Sequence, residues 1–141
     1  MIKKLSLLTL VLVLLAGCET KKFYETNVNS KTLNYVIKPN QWQESNDGGI
    51  YYYCQIKESA LTNEVMNYGI YTAYINLLIG GVEVFSPLPF DDFFENTNNH
   101  RWTEQVTCEF SPGYITFILK YNDFEPAWPQ DNYYFQVKLM W

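Results

Sequence analysis

The chain has 141 residues, 48% hydrophobic and 18% aromatic, with 15 acids against ten lysines and arginines and a formal net charge of −5. An acidic chain repels phosphate backbones, which argues against a nucleic-acid partner, and it gains nothing from lying flat on anionic lipid. The length suits one domain with a substantial core.

The N-terminus reads Met1-Ile2-Lys3-Lys4, then an apolar run from Leu5 to Leu15 broken only by Ser6 and Thr9, then Leu15-Ala16-Gly17-Cys18. As a helix the run is shorter than the roughly 20 residues of a membrane span, and its basic flank and small terminal residues fit a cleaved secretory leader. Leu-Ala-Gly-Cys matches the bacterial lipobox at all four positions. The expectation is therefore a leader over residues 1–17 and a lipidated N-terminus at Cys18, whose thiol takes the diacylglycerol group. Each buried methylene contributes about 0.8 kcal/mol, so two or three acyl chains anchor a protein stably to membrane lipid without a span. Two of the ten basic residues lie in the leader, leaving eight against 15 acids and a mature charge near −7.

Residues 18–31 are polar and without period, and read as a tether; the domain is expected over 32–141. Within it the pattern has period two, in short runs between turn signals. Leu33, Tyr35 and Ile37 alternate with polar neighbours until Pro39-Asn40. Ser45-Asn46-Asp47-Gly48-Gly49 marks a tight turn, followed by a strand from Ile50 to Lys57. Thr62 to Tyr68 is the one helical candidate, with Thr62 as cap and Gly69 as stop. Ile70 to Ile79 is apolar on both faces and reads as a central strand. Gly80-Gly81 turns the chain into Val82 to Phe85, and residues 91–100 read as a polar loop carrying two phenylalanines. From Trp102 to Phe110, Trp102, Val106, Cys108 and Phe110 point one way, with Glu104 interrupting the apolar face. Tyr114 to Tyr121 and Tyr133 to Met140 complete the set. About seven short strands and one short helical connection indicate an all-β sandwich or barrel, and the antiparallel β-sandwich is favoured because Ile70 to Ile79 reads as buried on both faces while most other strands read as half-buried.

The chain resembles the small lipoproteins of unknown function abundant in gut Bacteroidetes. The likeness rests on the lipobox, Pro39-x-x-Trp42, the Tyr51-Tyr52-Tyr53 strand, Thr62-x-x-Val65, Gly69 leading into a tyrosine-containing strand, Leu88-Pro89-Phe90 and the hydrophobic final strand. It covers roughly residues 33–141 and implies an envelope-anchored β domain, at the outer membrane, with no catalytic residues to carry over. Outward-facing members often have acidic residues just after the lipid cysteine. Here Glu19 is followed by Thr20, Lys21 and Lys22, which leaves surface and periplasmic faces both open.

Catalytic signals are sparse. The sole histidine, His100, sits in a polar stretch, and no Cys-x-x-Cys, Gly-x-Ser-x-Gly or phosphate loop occurs. Asp91, Asp92 and Glu95 supply oxygens but not the spacing of a calcium loop, so neither metal nor cofactor is expected. Glu104 is the one acid on a mostly apolar face, the setting an acid catalyst needs. Aromatic residues are expected chiefly in strand packing, but exposed ones also stack on sugars. Trp128, between Pro126 and Pro129, and Trp42 are the candidates for ligand contact, with Trp102 and Trp141 behind them. Cys54 and Cys108 both fall on inward faces; an oxidising compartment permits their pairing, but inward direction alone does not establish contact, and two separate buried thiols are the expectation. The functional expectation is a noncatalytic binding or structural module facing a protein or glycan partner, with a glycan-binding accessory or weak carbohydrate-processing protein as the alternative.

Overall fold

Alternation of apolar and polar residues dictates strands that bury one face each, and two such sheets closed on each other form the core. The computed structural model describes residues 28–45, 51–95, 97, 99–122 and 128–141. Among them are nine strands: β1 (Ser30–Ile37), β2 (Gln43–Ser45), β3 (Tyr51–Lys57), β4 (Ile70–Ile79), β5 (Val82–Pro87), β6 (Phe90–Glu95), β7 (Arg101–Ser111), β8 (Tyr114–Asn122) and β9 (Tyr133–Met140). A six-residue helix, α1 (Asn63–Tyr68), joins β3 to β4, and a 3-10 turn spans Pro39–Gln41. The strands form two antiparallel sheets, β1-β9-β4-β5 and β2-β3-β8-β7-β6. The fold is an all-β sandwich.

The sheets meet through aromatic rings. Phe117 of β8, with no exposed surface, stacks on Phe135 of β9 at 4.1 Å between centroids. Tyr71 of β4 meets Phe110 of β7 at 4.9 Å. Around these contacts Ile37, Ile115, Leu119, Val137 and Leu139 are fully buried.

Local chemistry explains the connections. Gly80 and Gly81 both have left-handed backbones, φ 59° and 82°, which the tight two-residue link between Ile79 and Val82 requires. The Thr62 hydroxyl accepts the Val65 amide at 3.2 Å and caps α1. Gly69 ends α1 without a left-handed backbone, since its φ is −86°. A Cβ there would lie 2.6 Å from the Val65 carbonyl oxygen and 2.8 Å from that of Met140, so only glycine lets the helix end lie against β9.

Several expectations change. The nine strands exceed the expected seven because β2 is only three residues long and β6 occupies much of the stretch read as a polar loop. Adjacent Phe93 and Phe94 hide the alternation of β6. The first strand begins at Ser30, inside the expected tether, because Asn29 and Trp141 exchange backbone hydrogen bonds of 2.9 and 3.0 Å and extend the ladder. β4 is internal to its sheet, as expected, but buries one face only: Ala73 and Ile75 point inward while Ile70 and Leu78 are exposed. The turn signal at 46–49 lies outside the described residues.

Cys54 and Cys108 are free. Their register shows why: Cys54 of β3 and Cys108 of β7 are both partners of Phe117, one on each side of β8. They share a face of one sheet, two strand spacings or about 10 Å apart, beyond the roughly 7 Å Cα separation that a disulfide spans.

Candidate functional site

The antiparallel register fixes which side chains share the inner face of the five-stranded sheet at its open end. Pairing of β6 with β7 sets Phe94 against Trp102, Asp92 against Glu104 and Phe90 against Val106. Pairing of β7 with β8 adds Tyr121 beside Glu104. Two carboxylates and a tyrosine therefore form one row, with Phe94 stacked on Trp102 in the row above, 5.5 Å apart and 13° from parallel. From the opposite sheet come Ile75, Leu77 and Tyr133, and the segment from Trp128 to Asn132 closes one side. Between them lies a cleft of about 370 Å³, at the lower end of the range for small-molecule sites.

Glu104 is the polar centre of this cleft. The Tyr133 hydroxyl donates to its Oε1 at 2.8 Å. Burial pushes the Glu104 carboxyl above its ordinary pKa; the Tyr133 bond pulls the other way, and the negative charges of Asp92 and Asp131 add to the rise. Burial also raises the Tyr121 hydroxyl, to about 12, with the Glu104 charge beside it contributing. The Tyr133 hydroxyl is raised by the same two causes. Like charges directly opposite across two strands are destabilising, so the Asp92–Glu104 pair is a cost that packing alone does not explain.

The candidate residues separate cleanly. Trp128 lines the cleft with 39% of its surface exposed. It also plugs the sandwich end: its ring meets Tyr52 edge-on at 5.1 Å, and its indole N–H donates to the Pro39 carbonyl at 3.0 Å. Trp42 is 3% exposed and packs edge-on against Tyr133 at 5.4 Å, so it belongs to the core and a ligand in solvent does not reach it. Trp102 lines the cleft, whereas Trp141 packs partly buried against the core. Asp91 and Glu95 fall on the opposite face of β6 from Asp92, and Glu95 pairs instead with Arg101 at 3.3 Å. Among the described residues no three acids, histidines or cysteines converge to hold a metal ion. His100 is exposed, just before β7. Cys18 lies outside the described residues. Burial raises both thiols above their ordinary range, and Cys108 is pushed up to about 12 with the Glu109 charge adding to the effect.

Sequence reading singled out Glu104 but missed the partners that surround it. Asp92 falls in the stretch that reads as a polar loop, alternation turns Tyr121 inward without naming its neighbours, and Asp131 and Tyr133 carry no local signal, because all four meet Glu104 only through strand pairing and sheet closure. No protein family, curated protein or solved structure compared with the chain matches it.

Proposed function

We propose that the protein is a membrane-anchored envelope lipoprotein acting as a noncatalytic binding module, with the aromatic and acidic cleft as its binding site. The observation that carries this reading is where the cleft sits. The chain comes into the sandwich at Ser30, which pairs with Met140, while Ile37 at the other end of β1 pairs with Tyr133 of the cleft. Seven strand steps of about 3.3 Å put roughly 23 Å between the two ends. A lipid on Cys18 would thus tether one end of the sandwich and leave the cleft at the other, presented to a partner.

The lipobox supports the anchoring half. Cys18→Ala is expected to abolish incorporation of radiolabelled fatty acid; equal labelling of that variant would refute the anchor. The binding half is tested with a glycan array and a pull-down from envelope extract, each repeated with Trp128→Ala.

A glycan-binding accessory or weak hydrolase is the second reading. It is favoured by Trp102 and Trp128 sharing the cleft with Gln130 and Asn132, since stacking rings and amides suit sugars, and by a raised carboxyl, Glu104, opposite a second acid, Asp92. Turnover of chromogenic glycosides that vanishes in Glu104→Gln would replace the noncatalytic reading with this one.

A further inference from the structure

We infer that the cleft takes an organic ammonium group, with Glu104 and Asp92 as its counter-charges and the stacked Phe94–Trp102 rings as its aromatic wall. The inference rests on the cleft being the binding site and adds the chemical class of its ligand.

Charge and shape both point this way. The charged side chains among the described residues lining the cleft are Asp92, Glu104 and Asp131, all negative, and no Lys or Arg lines it. An anionic ligand is repelled. A neutral ligand leaves the opposed Asp92–Glu104 pair uncompensated, whereas an ammonium ion relieves it. A hard metal ion needs several oxygens converging on one point, an arrangement absent among the described residues. An ammonium group asks less: a carboxylate within reach and an aromatic ring beside it, and Glu104 and the Phe94–Trp102 stack line the cleft in adjacent rows. The hydroxyl of Tyr133 holds Oε1 of Glu104 in place, so the carboxylate is oriented before a ligand arrives. Apolar Ile75, Leu77 and Phe90 line the rest and fit the carbon skeleton that carries the charge.

The inference also fixes a pH dependence. Glu104 faces Asp92, Asp131, Tyr121 and Tyr133, and it must be ionised to attract the cation. Affinity therefore falls as acid protonates Glu104, at a higher pH than for an ordinary carboxylate.

The test is a titration of the full chain, followed through the indole N–H signals of Trp102 and Trp128 by NMR. Butylammonium is compared with butanol, and glucosamine with glucose, which separates charge from skeleton in both an alkyl and a sugar setting. Saturable shifts with the amines and none with their neutral counterparts are expected; whichever amine binds more tightly distinguishes an alkyl amine from an amino sugar as the source. Glu104→Gln should weaken amine binding by roughly tenfold, about 1.4 kcal/mol, while Glu83→Gln, away from the cleft, leaves it unchanged. Undiminished amine affinity in the Glu104→Gln, Asp92→Asn double variant overturns the inference. So does glucose binding as tightly as glucosamine, although in that case the cleft keeps its role as a binding site. Silence from all four probes overturns the inference, and a blank glycan array and pull-down beside it removes the binding reading as well.

Discussion

Glu58 and Glu104 are the same residue at opposite ends of one sandwich, and their surroundings treat them in opposite ways. Glu58 lies where the chain comes in. Its Oε1 accepts from Lys31 at 3.1 Å and from the Ala60 amide at 2.9 Å, and its Oε2 accepts from the Tyr35 hydroxyl at 2.8 Å. Burial alone would raise its carboxyl, but these hydrogen bonds and the Lys31 charge hold it below its ordinary pKa. Glu104 is half-buried, accepts from the Tyr133 hydroxyl, has acids for company, and its carboxyl is raised. The first carboxylate has what a structural anion needs; the second is kept short of positive charge. A site that is electrostatically incomplete in an otherwise well-packed domain is where ligand binding is to be sought.

The same substitution should therefore act with opposite sign at the two ends. Glu58→Gln turns one acceptor oxygen into a donor facing other donors and is expected to destabilise the domain by about 2 kcal/mol, lowering the melting temperature by about 8 °C. Glu104→Gln keeps the acceptor for Tyr133 and removes the like-charge opposition, so it should stabilise by about 0.5 kcal/mol and raise the melting point by about 2–3 °C at neutral pH. A loss of stability in Glu104→Gln would mean that the carboxylate is structurally satisfied and the contrast is false.

Acid sharpens the comparison. Glu58 has a folded pKa below its unfolded value, so its contribution is present above the unfolded pKa of about 4.3 and is lost as pH falls through the folded value. The penalty of Glu58→Gln should shrink accordingly in melts taken toward pH 3. Glu104 has the reverse linkage. Its protonated form favours the fold, so its contribution is fully present below the unfolded pKa and is lost as pH rises through the raised folded value. The gain from Glu104→Gln should thus disappear in acid and be complete above the folded pKa. The smallest effect is expected from Lys31→Ala. Its side chain is 44% exposed, and such an ion pair contributes about 0.5 kcal/mol or less, further reduced by salt. A larger cost would show that the Glu58 cluster depends on its charge pair more than on Tyr35 and the Ala60 amide.

What was legible in the sequence was local. Alternation from Trp102 to Phe110 and from Tyr133 to Met140 located β7 and β9, and Thr62 marked the start of α1, because each depends on neighbours within a few residues. An all-β fold followed from the number of half-buried strands, whereas the preference for a sandwich over a barrel leaned on a doubly buried β4, which in fact buries one face only. The cleft did not, since Asp92 and Glu104 become neighbours only when β6 pairs with β7 in one particular register. A shift of one residue would have sent Asp91 inward instead. Trp42 and Trp128 look equivalent as lone tryptophans beside proline-containing turns, and only the closure of the sheets buries the first and leaves the second at the rim.

The placement of Cys54 and Cys108 on either side of Phe117 has a consequence for assembly. β8 must slot between β3 and β7, and its phenylalanine fills the space between the two sulfurs. A crosslink formed between these cysteines before that insertion would draw β3 and β7 together and leave β8 without its berth. In any oxidising compartment the order of events then matters. The strand that separates the thiols acts as their guard once it is seated, and a chain oxidised ahead of it is locked out of the native sheet until a reductant or isomerase reopens the bond.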